Sequence, residues 1–407
     1  MARNFPDFLT GYCDYAADAY CPPQFHQWVG LSVIAGALER KVWVAPAHIK
    51  QYPNIYCLLV SHPSTGKSTA LERGVDLLEE LKTNHNADFK LIPTQITEPG
   101  LVDMMGTLAS IEIGTTIVRH SSGYFYASEA SQCALQNLHG DFNATITLFY
   151  DCPRIFRKKI KMENHVNEIP NICFNVLAGS TFDYLKNIIN EDSVMGGLAS
   201  RFIYVIHRDR IVREPKWDAE RKVDEQKRKL LLADLARINQ LKGKFKPTPE
   251  FIQLWEDYQP EFDKFLIGLK SPRMESIMAR KSTNLLKVCM ILSASERDDL
   301  VLNESHWEKA KGFIDDITKD NALILSSAII AQTDTQASMN QLILQTVRSH
   351  GGATSMISLR SAIFRQGNDV AKFEPTLKFL IDSRKVQLTS VKGSPGIELL
   401  VDPDGCL

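Results

Sequence analysis

Apolar residues recur along this chain in two rhythms, and the way these alternate predicts an α/β protein. Residues 1–45 read as helical. FPDFLTGYCDYAADAY is one short helix and FHQWVGLSVIAGALERKVWV a second, with Trp28, Leu31, Ile34, Ala35 and Leu38 at helical spacing. A different rhythm follows: Ile55–Leu59 is a short continuous apolar run that reads as a buried strand. FKLIPTQI, GYFYASEAS (123–131), NICFNVLAGS and the run after Arg201 read as further strands. Between them lie the amphipathic run ALERGVDLLEELK and the segment TEPGLVDMMGTLA, with Thr97 as N-cap and Pro99 in the first turn. Residues 213–330 are helix-forming. Their mixed charge runs read as solvated helix faces, and MARKSTNLLKVCMILSAS as a more buried helix. AQTDTQASMN, 331–340, is a polar linker. Three helical segments (339–350, 356–366, 369–384) and two strands in VQLTSVKGSPGIELLV then follow the order of a winged helix-turn-helix. Lys372, Lys378, Arg384, Lys385 and Lys392 place positive charge on its third helix and wing, which suits DNA or protein contact.

The stretch IYCLLVSHPSTGKSTA, 55–70, gives the pattern its chemistry. Strand, small-residue loop, Gly-Lys-Ser and helix is the layout of a phosphate-binding P-loop. Backbone N–H groups of Ser61, His62, Pro63, Ser64, Thr65, Gly66, Lys67, Ser68 and Thr69 (proline excepted) would surround a β-phosphate. Lys67 would reach the β- and γ-phosphates, and the Ser68 hydroxyl would ligate Mg²⁺. The pattern has Gly where Ser61 stands, and often where Ser64 stands, so the loop is expected to be slightly strained or differently bent.

Other candidates follow in order. Glu129 ends a hydrophobic strand, where a carboxylate either activates the attacking water or merely starts the next helix near its positive end. Ser128 stands before it, where the usual pattern has an Asp for the Mg²⁺ shell. RIFRKKIK and VNEIPNICF flank a polar turn and predict a basic hairpin. Arg154, Arg157, Lys158, Lys159 and Lys161 either track a phosphate backbone or guard an exposed edge. Ser180 and Thr181, at a strand tip, sense a γ-phosphate or cap the following helix. Arg201, after the Gly196-Gly197 turn, suits insertion into a neighbour's site or pairing with a local carboxylate. Arg280 is a lid arginine reaching the nucleotide, or a surface cation. His26 reads as a helix-terminal surface or packing residue.

Composition narrows the class without adding a site. The 407 residues are 44% hydrophobic and 23% charged, ordinary for a soluble protein with two or three domains. A net charge of −1 restricts any nucleic-acid site to a local patch. The eight cysteines are scattered without CxxC or zinc spacing, as expected of reduced thiols in a cytoplasmic protein. No apolar run approaches the roughly 18 residues of a membrane span, and MARNFPDFL has no leader-like pattern, so no membrane association is expected.

The series FHQWVGLSVIAGALERKVWV, YPNIYCLLVSHPSTGKSTA, YFYASEA, NVLAGST, GGLASRF and ARKSTNLLKVCMILSA resembles the AAA+ ATPases of phages and mobile elements that accompany primases, related to MCM-type replicative helicases. The resemblance spans about residues 20–330. It implies a P-loop NTPase parallel sheet with helices on both faces, a helical lid and a winged helix. The implied divisions are a 1–45 helical segment, a 46–212 ATPase core with the hairpin, a 213–330 lid and a 338–403 winged helix. In MCM-type enzymes a Ser-Arg-Phe element carries the arginine finger, so Ser200-Arg201-Phe202 gives Arg201 that role. The inserted hairpin corresponds to residues 154–172, and Arg280 to the lid arginine. The implied activity is ATP- and Mg²⁺-dependent translocation on, or unwinding of, single-stranded or forked DNA by a ring, a hexamer, with a primase as further partner. Two rivals are kept: an ATP-switched loader or initiator that binds DNA without unwinding it, and a monomeric ATPase or kinase acting on a small molecule.

Overall fold

The structure is a computed structural model that describes residues 3–136, 141–159, 166–189, 196–209, 224–269, 272–318, 340, 343–344, 346–348, 350–364, 370–383, 385–391 and 393–400. The chain divides into two compact units, 1–326 and 327–407.

The first unit opens with α1, Phe8–Ala16, which Asp7 caps by accepting from the Leu9 and Thr10 amides. α2, Pro23–Leu38, starts on a proline and buries residues all round its circumference. It therefore lies inside the unit, packed on α1, on the sheet and on the helices Glu225–Asn239 and Lys281–Glu296. Burying one side chain such as Trp28 or Leu31 contributes about 1.5–3 kcal/mol. The two-residue strand β1, Val42–Trp43, follows where a continuing helix was expected. Glu39, at φ +52, ends α2 and turns the chain toward it.

The central sheet comprises β2 (Tyr56–Ser61), β3 (Lys90–Ile92), β4 (Ala109–Ile113), β5 (Thr116–Ala127), β8 (Ile172–Ser180) and β9 (Phe202–His207), while β6 (Ile155–Lys159) and β7 (Val166–Pro170) form a separate hairpin. The order is β3-β5-β8-β2-β9, all parallel, with β4 antiparallel on β5. Parallel strands buried on both faces need near-continuous apolar runs, and β2 and β8 are buried at every residue. β5 is longer than its sequence suggests. Its first half, Thr116–His120, pairs with β4, and Ser121–Ala127 pairs with β8. It stops at Ala127, and the residues after it form a short 3-10 turn, Ala130–Gln132.

The crossovers are α3 (Lys67–His85), α4 (Glu98–Gly106), α5 (Asp141–Tyr150) and α6 (Phe182–Ile188). Thr97 caps α4, with Pro99 in its first turn as its sequence predicts. The later helices Glu225–Asn239, Pro249–Gly268, Pro272–Met278, Lys281–Glu296 and 304–318 complete the unit. Lys281–Glu296 is the buried one. Two short parallel pairs tie this layer down: β1 with β10 (Gly243–Lys244), and β11 (Lys246–Pro247) with β12 (Val301–Leu302). The N-terminal helices, the sheet and these helices share one apolar core. Among the described residues no helix is long and apolar enough to cross a membrane.

The second unit holds a three-stranded antiparallel sheet, β13 (Ala353–Ser355), β14 (Val386–Val391) and β15 (Ser394–Leu399), in the order β13-β15-β14. Helices Met356–Phe364 and Val370–Asp382 pack on it around Ile363, Phe373, Leu377 and Ile397. β13 has no counterpart in the sequence reading. Lys378 and Lys385 are exposed, whereas Arg384, Lys392 and the Lys372 side chain lie outside the described residues, as do 331–339 of the polar linker.

Candidate nucleotide site

Parallel sheets bind ligands beyond the carboxyl ends of their strands, where the strand order reverses. Here that point is β2, with β8 on one side and β9 on the other. The chain leaves β2 into the loop 61–66 and enters α3 at Lys67. Val60 of β2 is level with Ser180 of β8, and Ala127 of β5 is level with Ala178 of β8. The loop, Ser180 and Glu129 therefore converge on one edge of the sheet.

Within the loop, Lys67 is nearly buried. Its Nζ donates to Ser61 O at 3.2 Å, Ser61 Oγ at 3.1 Å and His62 O at 3.0 Å. Burial pulls the Lys67 ammonium down from the usual lysine range, and the Glu129 carboxylate pushes it back up. A bound polyphosphate would exchange these loop acceptors for anionic oxygens. Thr65 Oγ1 donates to His62 O and pairs with Ser61 Oγ, which tightens the turn. The His62 ring packs edge-on to Phe182 at 5.0 Å between centroids.

The two serines differ from expectation and from each other. Ser61 needs no glycine: it continues β2, pairs with His207, and is absent from the positive-φ residues. Its hydroxyl fills the turn instead. Ser64 does adopt φ +63, so the strain expected of the loop sits there.

Gly66 has φ +81, and a Cβ on it would lie 2.0 Å from Tyr20 O and 2.9 Å from Cys21 Cβ. The turn between α1 and α2 thus presses on the mouth of α3. Gly66→Ala is expected to cost about 2–4 kcal/mol, combining left-handed strain with a backbone clash. Urea unfolding measures it, and a loss below 1 kcal/mol would show that this contact is slack. Cys21 and His26 meet beside it, Sγ to Nε2 at 2.9 Å, both buried. Burial drives His26 down to about 4, so it packs as a neutral ring, consistent with its sequence reading.

Glu129 is half-buried and accepts from Ser131 Oγ at 3.3 Å, while Ser128 is exposed. Gly179 brings the β5 and β8 tips together: a Cβ there would stand 2.4 Å from Ser128 O. Ser180 is buried and its Oγ donates to Thr181 O at 3.2 Å. Thr181 caps α6, its Oγ1 accepting from the Tyr184 amide at 3.4 Å. The two residues divide the roles that the sequence leaves open: Thr181 serves the helix, and Ser180 stands at the strand tip. Ser68 and Thr69 are exposed in the first turn of α3. Among the described residues no group of three or more His, Cys, Asp or Glu is placed to hold a metal. A Mg²⁺ held together with a nucleotide would not need one, because such an ion takes few protein oxygens. The Ser68 hydroxyl and the Glu129 carboxylate are of the right donor type.

The two arginines lie elsewhere. Arg201 directly precedes Phe202, which is level with Tyr56, the first residue of β2. It therefore sits at the sheet edge opposite the loop 61–66. Its Nη2 pairs with Asp151 at 2.5 Å, Nη1 donates to Gly197 O at 2.6 Å, and Nε is buried without a partner among the described residues. Arg280, at the start of helix Lys281–Glu296, reaches the same Asp151 at 3.5 Å. Within one chain, then, Arg201 and Arg280 meet each other's counter-ion and not the P-loop. Of the two readings of Arg280, the single chain shows the partly exposed cation, paired with Asp151.

Beside them Lys287 is buried, donating to Asn54 Oδ1 at 2.8 Å over the Tyr150 ring. Burial drives its ammonium down to about 8, against the pull of Cys152, Cys173 and Asp151. Between about 8 and 10.5 the unfolded chain holds a proton that the folded chain has lost. Stability should therefore rise with pH across that window. Lys287→Met should flatten the rise, measured as the difference between wild-type and variant unfolding free energies at pH 8 and 10. Parallel curves would refute it.

The predicted basic hairpin is present as β6 paired antiparallel with β7. Asn171 ties its base to the middle of β5 through Arg119 O and Ser121 N, on the edge that also holds Arg201. Its charge is less free than the sequence suggests. Arg157 pairs with Glu168 at 2.6 Å, and Lys158 with Glu98 at 2.8 Å and Asp141 at 3.6 Å. Arg154 is exposed; Lys161 and the Lys159 side chain lie outside the described residues. Asp151 and the β4–β5 ribbon had no signal in the sequence reading. Compared with models of known protein families and with curated protein sequences, the chain matches none.

Proposed function

We propose that this protein is a P-loop ATPase of the AAA+ type whose hydrolytic site is completed by a neighbouring copy, and that it works on DNA as a ring, a hexamer. The observation that supports it most is the split of the machinery between two sheet edges. Lys67, Glu129 and Ser180 gather at one, and Arg201 stands at the other. One strand of about five residues separates them, roughly 17 Å at 3.3 Å per residue, too far for an arginine side chain. A neighbour can present Arg201 across an interface.

In this reading the loop amides and Lys67 hold the β- and γ-phosphates. Glu129 accepts a hydrogen bond from the attacking water and orients it in line. Ser180 donates toward the γ-phosphate or that water, and Arg201 of the next copy neutralises charge on the transferring group. Ser68, with Glu129 nearby, would hold Mg²⁺, whose charge would offset that of the phosphate oxygens. The exposed Ser128 supplies no second carboxylate, so turnover should be slow without a stimulating partner. The hairpin contacts the DNA backbone, and the second unit acts as a winged helix for DNA or a partner protein such as a primase. A cytoplasmic setting accords with its free cysteines.

ATP turnover with and without single-stranded DNA tests the reading, and stimulation is expected. ATP and DNA binding without stimulation or strand displacement would favour the loader, which the missing acid at 128 also favours. Turnover indifferent to DNA and unaffected by Arg201→Ala would favour a monomeric enzyme. For the hairpin, neutralising Lys158 and Lys159 together should weaken binding and reduce the slope of log K against log salt by about 0.7 per lost single-strand phosphate contact. An unchanged slope would remove the hairpin from the DNA site.

A further inference from the structure

The base of the hairpin carries two cysteines that the nucleotide chemistry does not use. Cys152 follows α5, and Cys173 is the second residue of β8, so the pair brackets the hairpin. Their side chains lie within hydrogen-bonding reach of each other and pack with Tyr52 against Trp43. Cys152 is held at φ +49, a conformation that disfavours L side chains. Such outliers persist where surrounding structure enforces them. Arg40 enforces this one: its Nη1 donates to Cys152 O at 2.7 Å and to Ile172 O, and its guanidinium lies 4.1 Å over the Tyr52 ring. Cys173 Sγ also lies 3.3 Å from Glu39 O.

We propose that Cys152 and Cys173 are a peroxide-responsive dithiol that closes into a disulfide across the hairpin's base. A redox pair needs one activated thiolate and a resolving thiol in contact with it. Burial alone would raise the Cys152 thiol, but the hydrogen bond from Cys173 and the charges of Arg40 and Lys287 outweigh it and bring it below the ordinary value. Cys173 moves the opposite way, because Cys152 takes its hydrogen bond and burial adds to the effect. Among the described residues the other cysteines lack this setting: burial pushes Cys13 and Cys21 up to about 12.

In the first step the Cys152 thiolate attacks one oxygen of hydrogen peroxide. An S–O bond forms, the O–O bond breaks, and the departing hydroxide takes up the proton that Cys152 released on ionising and leaves as water. In the second step the Cys173 sulfur attacks the resulting sulfenic acid, forming S–S, and the hydroxyl departs with the Cys173 proton as water. Overall two thiols are oxidised by two electrons and one peroxide is reduced to two waters. The bond would tie Asp151, the shared partner of Arg201 and Arg280, to the root of β8. The bond and its effect on the hairpin are independent of the proposed function.

The test treats the full chain with hydrogen peroxide, then alkylates, digests and maps it. Wild type should lose two hydrogens from its intact mass and yield a peptide joining Cys152 to Cys173, reversed by dithiothreitol. Cys173→Ser should strand Cys152 as a sulfenic acid that dimedone captures. Peroxide that leaves both thiols alkylatable after unfolding, or joins either one to another cysteine, would overturn the proposal; wild type alone decides this if the variant does not fold. Amide exchange at 154–159 and 166–171 should slow on oxidation. Unchanged exchange would refute the locking of the hairpin, whatever the ATPase assay shows.

Discussion

Arg201→Ala is expected to lower DNA-stimulated ATP turnover about 10³-fold while leaving nucleotide affinity within a few-fold. In the single chain Arg201 faces Asp151 on the edge away from the loop, so its removal cannot loosen the pocket that holds phosphate. In the proposed reading, what disappears is the cation that a neighbouring copy's reaction would use as charge builds on the transferring group. Folding should suffer little. Asp151 is partly exposed and keeps Arg280, so losing the pair should cost on the order of 1 kcal/mol. Mixing makes the result decisive. An Arg201→Ala subunit still has an intact Lys67 loop, and a Lys67→Ala subunit still has an intact arginine. Mixed together, two dead proteins should regain part of the activity, because some interfaces receive one good half from each. Failure to complement, with both variants folded and assembled, would place Arg201 outside the reaction.

Lys67→Ala is expected to abolish measurable turnover, a loss of roughly 10²–10³-fold or more, and to weaken ATP binding as well. The nearly buried ammonium now satisfies Ser61 O, Ser61 Oγ and His62 O. Alanine leaves those acceptors to water in a half-open loop, so the melting temperature should move by only a few degrees. Binding of a fluorescent ATP analogue separates the two effects. Undiminished affinity and turnover in Lys67→Ala would mean that the Gly-Lys-Ser turn is a structural loop and nothing more.

The parts of this site that were legible in the sequence are those that local rules specify. An apolar run followed by small residues and Gly-Lys-Ser dictates strand, turn and helix without help from distant residues, and β2 and α3 follow it. Glu129 and Ser180 could be marked because each ends an apolar run. Their convergence could not, since nothing local says that β8 inserts between β5 and β2. Which serine carries the strain was not legible, because the glycine preference describes a backbone angle, and this loop places that angle at Ser64 and Gly66. The pairing of Asp151 with both arginines spans long stretches of chain and leaves no periodic trace. The β4–β5 ribbon escaped because Thr116–Arg119 has few buried positions to set a rhythm.

The position of α2 has a consequence for how the protein is made. Its apolar surface leaves the ribosome early, yet the helices that cover it, among them Lys281–Glu296, are encoded some two hundred residues later. At about 5–20 residues per second, that interval is on the order of tens of seconds. The nascent chain must carry an oily helix through this delay, which makes it a natural client for chaperones and an aggregation hazard when overproduced. It also means that the segment before Val42 cannot be trimmed to isolate the sheet: a chain begun at Val42 would open a trough along the middle of its own core.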